Sequence, residues 1–331
     1  SGSILVCVPV SALDTQHTVP EYIVEALGRI SVHGLLATDY ALGFDLSRRP
    51  WCAALPTLSE FRESIAICWP ASLQKQLPPV ARNLLKQQKK KLETDWIIAS
   101  GAFPDLIFKN YLHAWLLVNT RTFYFVPPFD SGPLPSRDDC IALNPYSDCL
   151  NHSTSPSATV QVTKAAINIL ASKNIDAGEE VTISYGNHPN DFLLVEYGFI
   201  LDENPWDEVL LDPYILPLLG DSQKRKLEDA SFLGNYFLDQ HTVCHRTQVA
   251  LRILFLPLHN WEYFVKGFDD GEKDLPQVDR LILSILTEYR RDVRQNLDLI
   301  SQSNDFHAQR KILSRRWKQI DELLEDAINR L

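Results

Sequence analysis

The sequence predicts an α+β protein: a small, mostly β core, a helical insert within it and a mainly helical C-terminal domain. Three observations predict it. Short apolar, β-branched runs occur at 4–9, 158–163, 166–170 and 180–184. Helix-start signals fill residues 20–115. Beyond the boundary-like segment from Leu201 to Trp206 the pattern is helical again.

The elements follow in order. Ile4-Leu5-Val6-Cys7-Val8-Pro9 reads as a buried strand stopped by proline. Pro20 lies in the first turn of a helix, and Leu58 and Leu77-Pro78-Pro79 open others. The run Lys86-Gln87-Gln88-Lys89-Lys90-Lys91 on such a helix reads as a solvated face. Residues 115–126 switch toward β composition, and the Pro/Gly/Ser/Asp-rich stretch 127–139 reads as a surface loop. A turn is expected at Asp176-Ala177-Gly178, and Asn190 as the N-cap of a helix running to about Tyr197. Near the end, Leu313, Trp317, Ile320, Leu324, Ala327 and Leu331 recur at three- and four-residue steps, a stripe expected to dock on its own domain.

Composition narrows the function. Of the 331 residues, 45% are hydrophobic and 22% charged, as in a soluble globular protein. No apolar run approaches the roughly 20 residues that span a bilayer, and no signal-peptide layout opens the chain, so no membrane is expected. The net charge of -10 disfavours nucleic acid and favours a basic protein segment as partner. Six scattered cysteines form no C-x-x-C pair, so neither a zinc site nor a disulfide framework is expected, and an intracellular, reducing home fits. His241 and His245 would share a metal only on a helix; Thr242 and Val243 favour a strand, so no metal is expected. Methionine is absent.

The chemistry sits in three ordered segments. Asn144-Pro145-Tyr146-Ser147-Asp148-Cys149-Leu150-Asn151-His152-Ser153 comes first. Gly178-Glu179-Glu180 then leads through Val181-Thr182-Ile183-Ser184 to Tyr185-Gly186. Asp191 to Val195 and Glu196-Tyr197-Gly198-Phe199 follow. Singly each piece is common; in this order and spacing, with the block Trp115 to Phe123 upstream, they resemble the SET domain. The Asp148-x-x-Asn151-His152 spacing and Tyr197-Gly198-Phe199 resemble the Rubisco large-subunit methyltransferase-like branch. The absence of a Cys-rich tail fits a SET protein without the zinc-containing post-SET module.

The resemblance implies a SET core at 1–38 and 113–200 with a pseudoknot, an insert at 39–112, and a C-terminal domain at 205–331 that helps hold a protein substrate. It implies S-adenosylmethionine as cofactor, and lysine and cofactor entering from opposite faces of a narrow channel. Tyr185 would be the catalytic tyrosine. Asn151 and His152 would hold the cofactor, and Asp148 would support the same loop. Arg121 would position the cofactor carboxylate or line the lysine channel. Tyr197 would flank that channel, and Phe199 the cofactor or the channel wall. The Gly-x-Gly turn that opens such domains would lie before Ser1, so the sequence is expected to be a fragment. The implied activity is lysine N-methylation of a non-histone protein, such as a ribosomal protein or translation factor, by a monomer in cytoplasm or nucleus. A histidine target, or a SET fold that binds protein without methylating it, are the alternatives.

Overall fold

The computed structural model describes residues 2–43, 50–126, 136, 139–302 and 305–331. The loop expected at 127–139 lies, apart from Ser136 and Asp139, outside the described residues. Strand β1 (Ile4–Pro9) is followed by helices α1 (Glu21–Leu27), α2 (Val32–Leu42), α3 (Leu58–Ser64), α4 (Ala71–Gln74), α5 (Pro79–Ala102) and α6 (Phe108–Arg121). Strands β2 (Thr122–Tyr124), β3 (Ile141–Leu143), β4 (Asn151–His152), β5 (Ala158–Val162), β6 (Ala166–Ala171) and β7 (Thr182–Ile183) come next. Helix α7 (Asn190–Glu196), strand β8 (Glu208–Leu210), helices α8 (Asp212–Ile215) and α9 (Asp221–Asp229) and strand β9 (Phe237–Asp239) lead to the last four helices. These are α10 (His245–Arg252), α11 (Leu258–Val265), α12 (Leu275–Ser301) and α13 (His307–Arg330). None of the helices described is long and apolar enough to cross a membrane.

The chain divides into two compact units, one of Ser1–Cys68, Leu85–Asn187 and Glu196–Gly198, the other of Trp69–Leu84, His188–Val195 and Phe199–Leu331.

In the first unit β1, β6 and β5 form a sheet in that order. The expected strand at 4–9 forms, but it is not buried: only Val8 is, because β1 is an edge strand with one partner. Helix α3 begins with a reciprocal cap, the Glu60 N–H donating to Thr57 Oγ1 at 3.3 Å and the Thr57 N–H to Glu60 Oε2 at 2.6 Å. The β reading of 115–126 fails for its first half, since residues 115–121 continue α6. Burial decides this: Tyr111, Ala114, Trp115 and Val118 recur at helical steps and are at most 4% exposed. Trp115 is fixed further by its indole N–H on Asp95 Oδ2 at 3.1 Å and by His33 stacked at 4.2 Å. The Asp176 turn closes with Glu179 N–H on the Asp176 carbonyl, and Gly178 sits at φ +91°, where a side chain would strain it.

In the second unit α12 and α13 carry the largest apolar faces. The stripe Leu313, Trp317, Ile320, Leu324 and Ala327 is buried, each side chain contributing roughly 1.5–3 kcal/mol where large and apolar. Leu331 departs from it and is 49% exposed, because α13 ends at Arg330. Asn190 is the first residue of α7 rather than its cap. Its side chain is engaged elsewhere, donating to the Leu201 carbonyl at 3.1 Å and accepting from the Leu201 N–H at 3.0 Å. His241 lies in the turn after β9, Val243 bridges back to Leu238, and His245 opens α10.

Candidate active site

The parallel pairing of β4 with β7 places Asn151 opposite Thr182 and His152 opposite Ile183. Two motifs separated by thirty-odd residues thereby become neighbours, and Tyr185 follows directly from β7. Its position is fixed twice. The backbone N–H of Tyr185 donates to His152 Nδ1 at 3.0 Å, and its phenol O–H donates to the Leu150 carbonyl at 2.7 Å. An acceptor Nδ1 puts the ring proton of neutral His152 on Nε2. The His152 and Tyr185 rings lie 5.2 Å apart, and Tyr197 packs on the other tyrosine with centroids 5.0 Å apart.

These tyrosines line a cavity of about 290 Å³, together with Arg121, Phe123, Tyr124, Asp148, Val160 and Ile183 among others. Arg121, the last residue of α6, donates from one guanidinium nitrogen to both the carbonyl and Oδ2 of Asp148, each at 3.1 Å. The Asp148 side chain has no solvent exposure, whereas Arg121 keeps 18% of its own. Burial pushes the Asp148 carboxyl up, and the Arg121 charge and the Trp51 indole hold part of that back. Burial likewise raises the Tyr185 phenol, with Arg121 opposing. Burial and the neighbouring Tyr185 and Glu196 push Tyr197 up to about 12. Both phenols therefore keep their protons at neutral pH. The proton of Tyr185 is donated to the Leu150 carbonyl.

Of the residues singled out in the sequence, Arg121, Asp148, Tyr185 and Tyr197 line one cavity. Asn151 and His152 occupy β4 beside it, the exposed Asn151 held by its amide nitrogen on Glu180 Oε1 at 2.6 Å. Phe199 belongs to the second unit, where its N–H donates to the Leu193 carbonyl. Sequence reasoning missed Ile183, which period-2 spacing from Tyr185 along the strand would have found. It also missed Trp51, whose indole N–H meets both Asp148 carboxylate oxygens at 2.9 and 3.0 Å from 97 positions away; no local signal marks it.

Gly198, next to Tyr197, shows why the Tyr-Gly-Phe segment needs its glycine. It sits at φ +81°, and a Cβ there would lie 2.8 Å from Ile65 Cδ1 and 3.0 Å from the Ser64 backbone. Gly198→Ala is expected to destabilise by about 1–3 kcal/mol and to displace Tyr197. Thermal melts check this; an unchanged melt would show that the segment has room to shift.

Comparisons with known proteins agree with this architecture. Residues 60–186 match the SET domain model, and residues 207–330 match the model described as the Ribosomal lysine N-methyltransferase 2 C-terminal domain. The chain is 30% identical over 224 residues to Ribosomal lysine N-methyltransferase set11 of Schizosaccharomyces pombe, covering 64% of this chain and 57% of that one. It is 23% identical over 303 residues to Ribosomal lysine N-methyltransferase 2 of Saccharomyces cerevisiae, covering 76% and 63%. The chain thus spans less than two thirds of the length of both relatives. Among solved structures, Rubisco LSMT bound to AdoMet aligns with a TM-score of 0.60 at 17% identity, over 99% of this chain and 83% of the other. The chain therefore joins a segment that matches the SET domain to one that matches a ribosomal lysine methyltransferase C-terminal domain, on the fold of Rubisco LSMT.

Proposed function

We propose that this chain carries the active site of an S-adenosylmethionine-dependent protein-lysine N-methyltransferase acting on a non-histone protein, in the manner its ribosomal relatives are named for. The observation that carries the reading is the Tyr185 phenol: half-buried, protonated, donating to the Leu150 carbonyl, and set in a cavity walled by Tyr197, Arg121 and Asp148. Such an oxygen is an acceptor, not a base. It suits polarised C–H groups, which make weak contacts to oxygen lone pairs.

When bound, S-adenosylmethionine supplies a methyl on a cationic sulfur, and a neutral amine must meet it in line. Asn151 and His152 are the residues to hold it. Among the described residues β4 pairs only with β7, and Asn151 is exposed with its amide nitrogen fixed on Glu180, leaving its amide oxygen to a ligand. His152 braces the Tyr185 backbone as well, so it serves both halves of the site. We read Arg121 and Asp148 as walls of the lysine side rather than cofactor ligands, because they share the cavity with both tyrosines. The paired Arg121 and Asp148 give that wall no net charge, so it does not repel a lysine that arrives as a cation and sheds its proton to solvent before transfer; holding the reactants in place supplies much of the rate. A net charge of -10 favours a basic protein as the target, and a ribosomal one would be met in the cytoplasm or nucleus.

Because burial raises both phenols above the ordinary tyrosine range, both stay protonated around neutral pH. The rate is expected to climb with pH through deprotonation of the substrate amine alone, and Tyr197→Phe should leave the shape of that profile unchanged. A displaced profile would mean that Tyr197 titrates in turnover.

The decisive experiment incubates the full-length protein carrying this chain with labelled S-adenosylmethionine and isolated ribosomal proteins, then locates the label by mass spectrometry. Methyl-lysine on one protein is the expected result. Methylhistidine would overturn the lysine assignment. Absence of both label and cofactor binding would favour a SET fold that only binds protein. Asn151→Ala should weaken cofactor binding about ten-fold, the effect of one lost hydrogen bond of about 1.4 kcal/mol.

A further inference from the structure

The Asp148 carboxylate is buried in the cavity wall, where among the described residues the side chains of Arg121, Trp51 and Cys149 meet it. On one side Arg121 reaches Oδ2 at 3.1 Å. On the other the Trp51 indole N–H reaches Oδ1 at 2.9 Å and Oδ2 at 3.0 Å. The Cys149 thiol lies 3.8 Å from Oδ1. Trp51 is 2% exposed and is itself fixed, with the Tyr40 ring edge-on at 6.4 Å and the Tyr40 hydroxyl donating to Asp14 Oδ2.

We propose that Trp51 is a positioning residue for the reaction, holding the buried Asp148 carboxylate, and with it the paired Arg121 guanidinium, in the cavity wall. The proposal rests on reading the cavity as the lysine side of a methyltransferase. Its logic is electrostatic. A carboxylate out of water needs donors or it takes a proton. A second arginine or lysine would supply them, but would leave the wall with a net positive charge facing a cationic lysine. Indole is a donor only and carries no charge. It holds the carboxylate and leaves the Arg121–Asp148 pair neutral.

Among the described residues Arg121, the Cys149 thiol and the Tyr185 phenol are the other charged or titratable groups that interact with Asp148. Without Trp51 the carboxylate is left to Arg121, the weak thiol donor and its own backbone N–H. The carboxyl then protonates at higher pH, and the Arg121 charge stands uncompensated in the cavity wall at pH values where the wild type pairs it.

The test is Trp51→Phe in the full-length protein, followed by carbon-detected NMR of labelled aspartate carboxyls, with Asp148→Asn identifying the signal. Asp148 is expected to titrate about one pH unit higher in Trp51→Phe, the scale of one lost donor to a buried carboxylate. KM for a lysine peptide should rise more than kcat falls, and the acid limb of kcat/KM should move up by the same interval. In the Asp148→Asn background Trp51→Phe should leave that limb where it is. If Trp51→Phe does not fold, benzothienylalanine at position 51 keeps the shape of the ring and removes only the N–H. An unmoved Asp148 titration would overturn the inference whether or not the protein methylates. A moved titration in a protein without methyl transfer would instead overturn the lysine-channel reading.

Discussion

Tyr185→Phe is expected to lower kcat for methyl transfer by about 10²–10³-fold, the usual loss when one preorganised polar group at a reacting centre is removed. Phenylalanine fills the same space, so packing against His152 and Tyr197 persists. Two things disappear together: the oxygen that accepts, and the anchor on the Leu150 carbonyl. The stability cost is that of one hydrogen bond, about 1 kcal/mol, so the melting temperature should barely move while turnover collapses. Cofactor binding, measured by calorimetry, should stay within a few-fold of wild type. Retained turnover would show that the transferring methyl does not face this phenol. A loss of folding would show that the Leu150 bond organises the loop from Asn144 to Asn151.

Arg316→Met is expected to give the largest loss of stability, about 3–5 kcal/mol, because it strands buried charge. Arg316 has no exposed side-chain surface; its Nε donates to Asp191 Oδ1 at 2.7 Å and a terminal nitrogen to Asp207 Oδ2 at 2.6 Å. Burial disfavours the charged guanidinium, and the two carboxylates outweigh that and hold it charged. Methionine is apolar and of similar length, so what is lost is the charge between two aspartates. Arg316→Lys should recover only part, since an ammonium cannot reach both partners with a rigid fork. Replacing all three residues by apolar ones of matched volume should recover more than the lysine does. Scanning calorimetry checks the series. A melting temperature for Arg316→Met within about one degree of wild type would mean water already reaches the pair.

The grouping of the motifs was the most legible part of the sequence. Order and spacing pointed to Asn151-His152 and Tyr185 together, and the pairing of β4 with β7 makes them neighbours. The elements were harder to read. Residues 115–121 are rich in β-forming types, yet continue a helix, because burial at three- and four-residue steps outweighs composition. The run at 4–9 shows that an apolar strand announces its conformation but not its place; pairing on one side leaves it exposed. Trp51 lay beyond reach altogether. Its partner is set by how the chain returns on itself, and neither neighbour of Trp51 carries any trace of Asp148.

That return has a consequence for synthesis. The cavity takes a wall from α6, another from the turn before β4, a third from β7 and a last from Tyr197, and the Trp51 bond closes over 97 positions. Contacts so distant in sequence form late, after the entropy of closing long loops has been met. A chain still emerging from the ribosome holds the early motifs in order but has no pocket to bring them together. Catalytic competence should therefore arrive in one step, after Tyr197 has emerged, rather than grow with chain length.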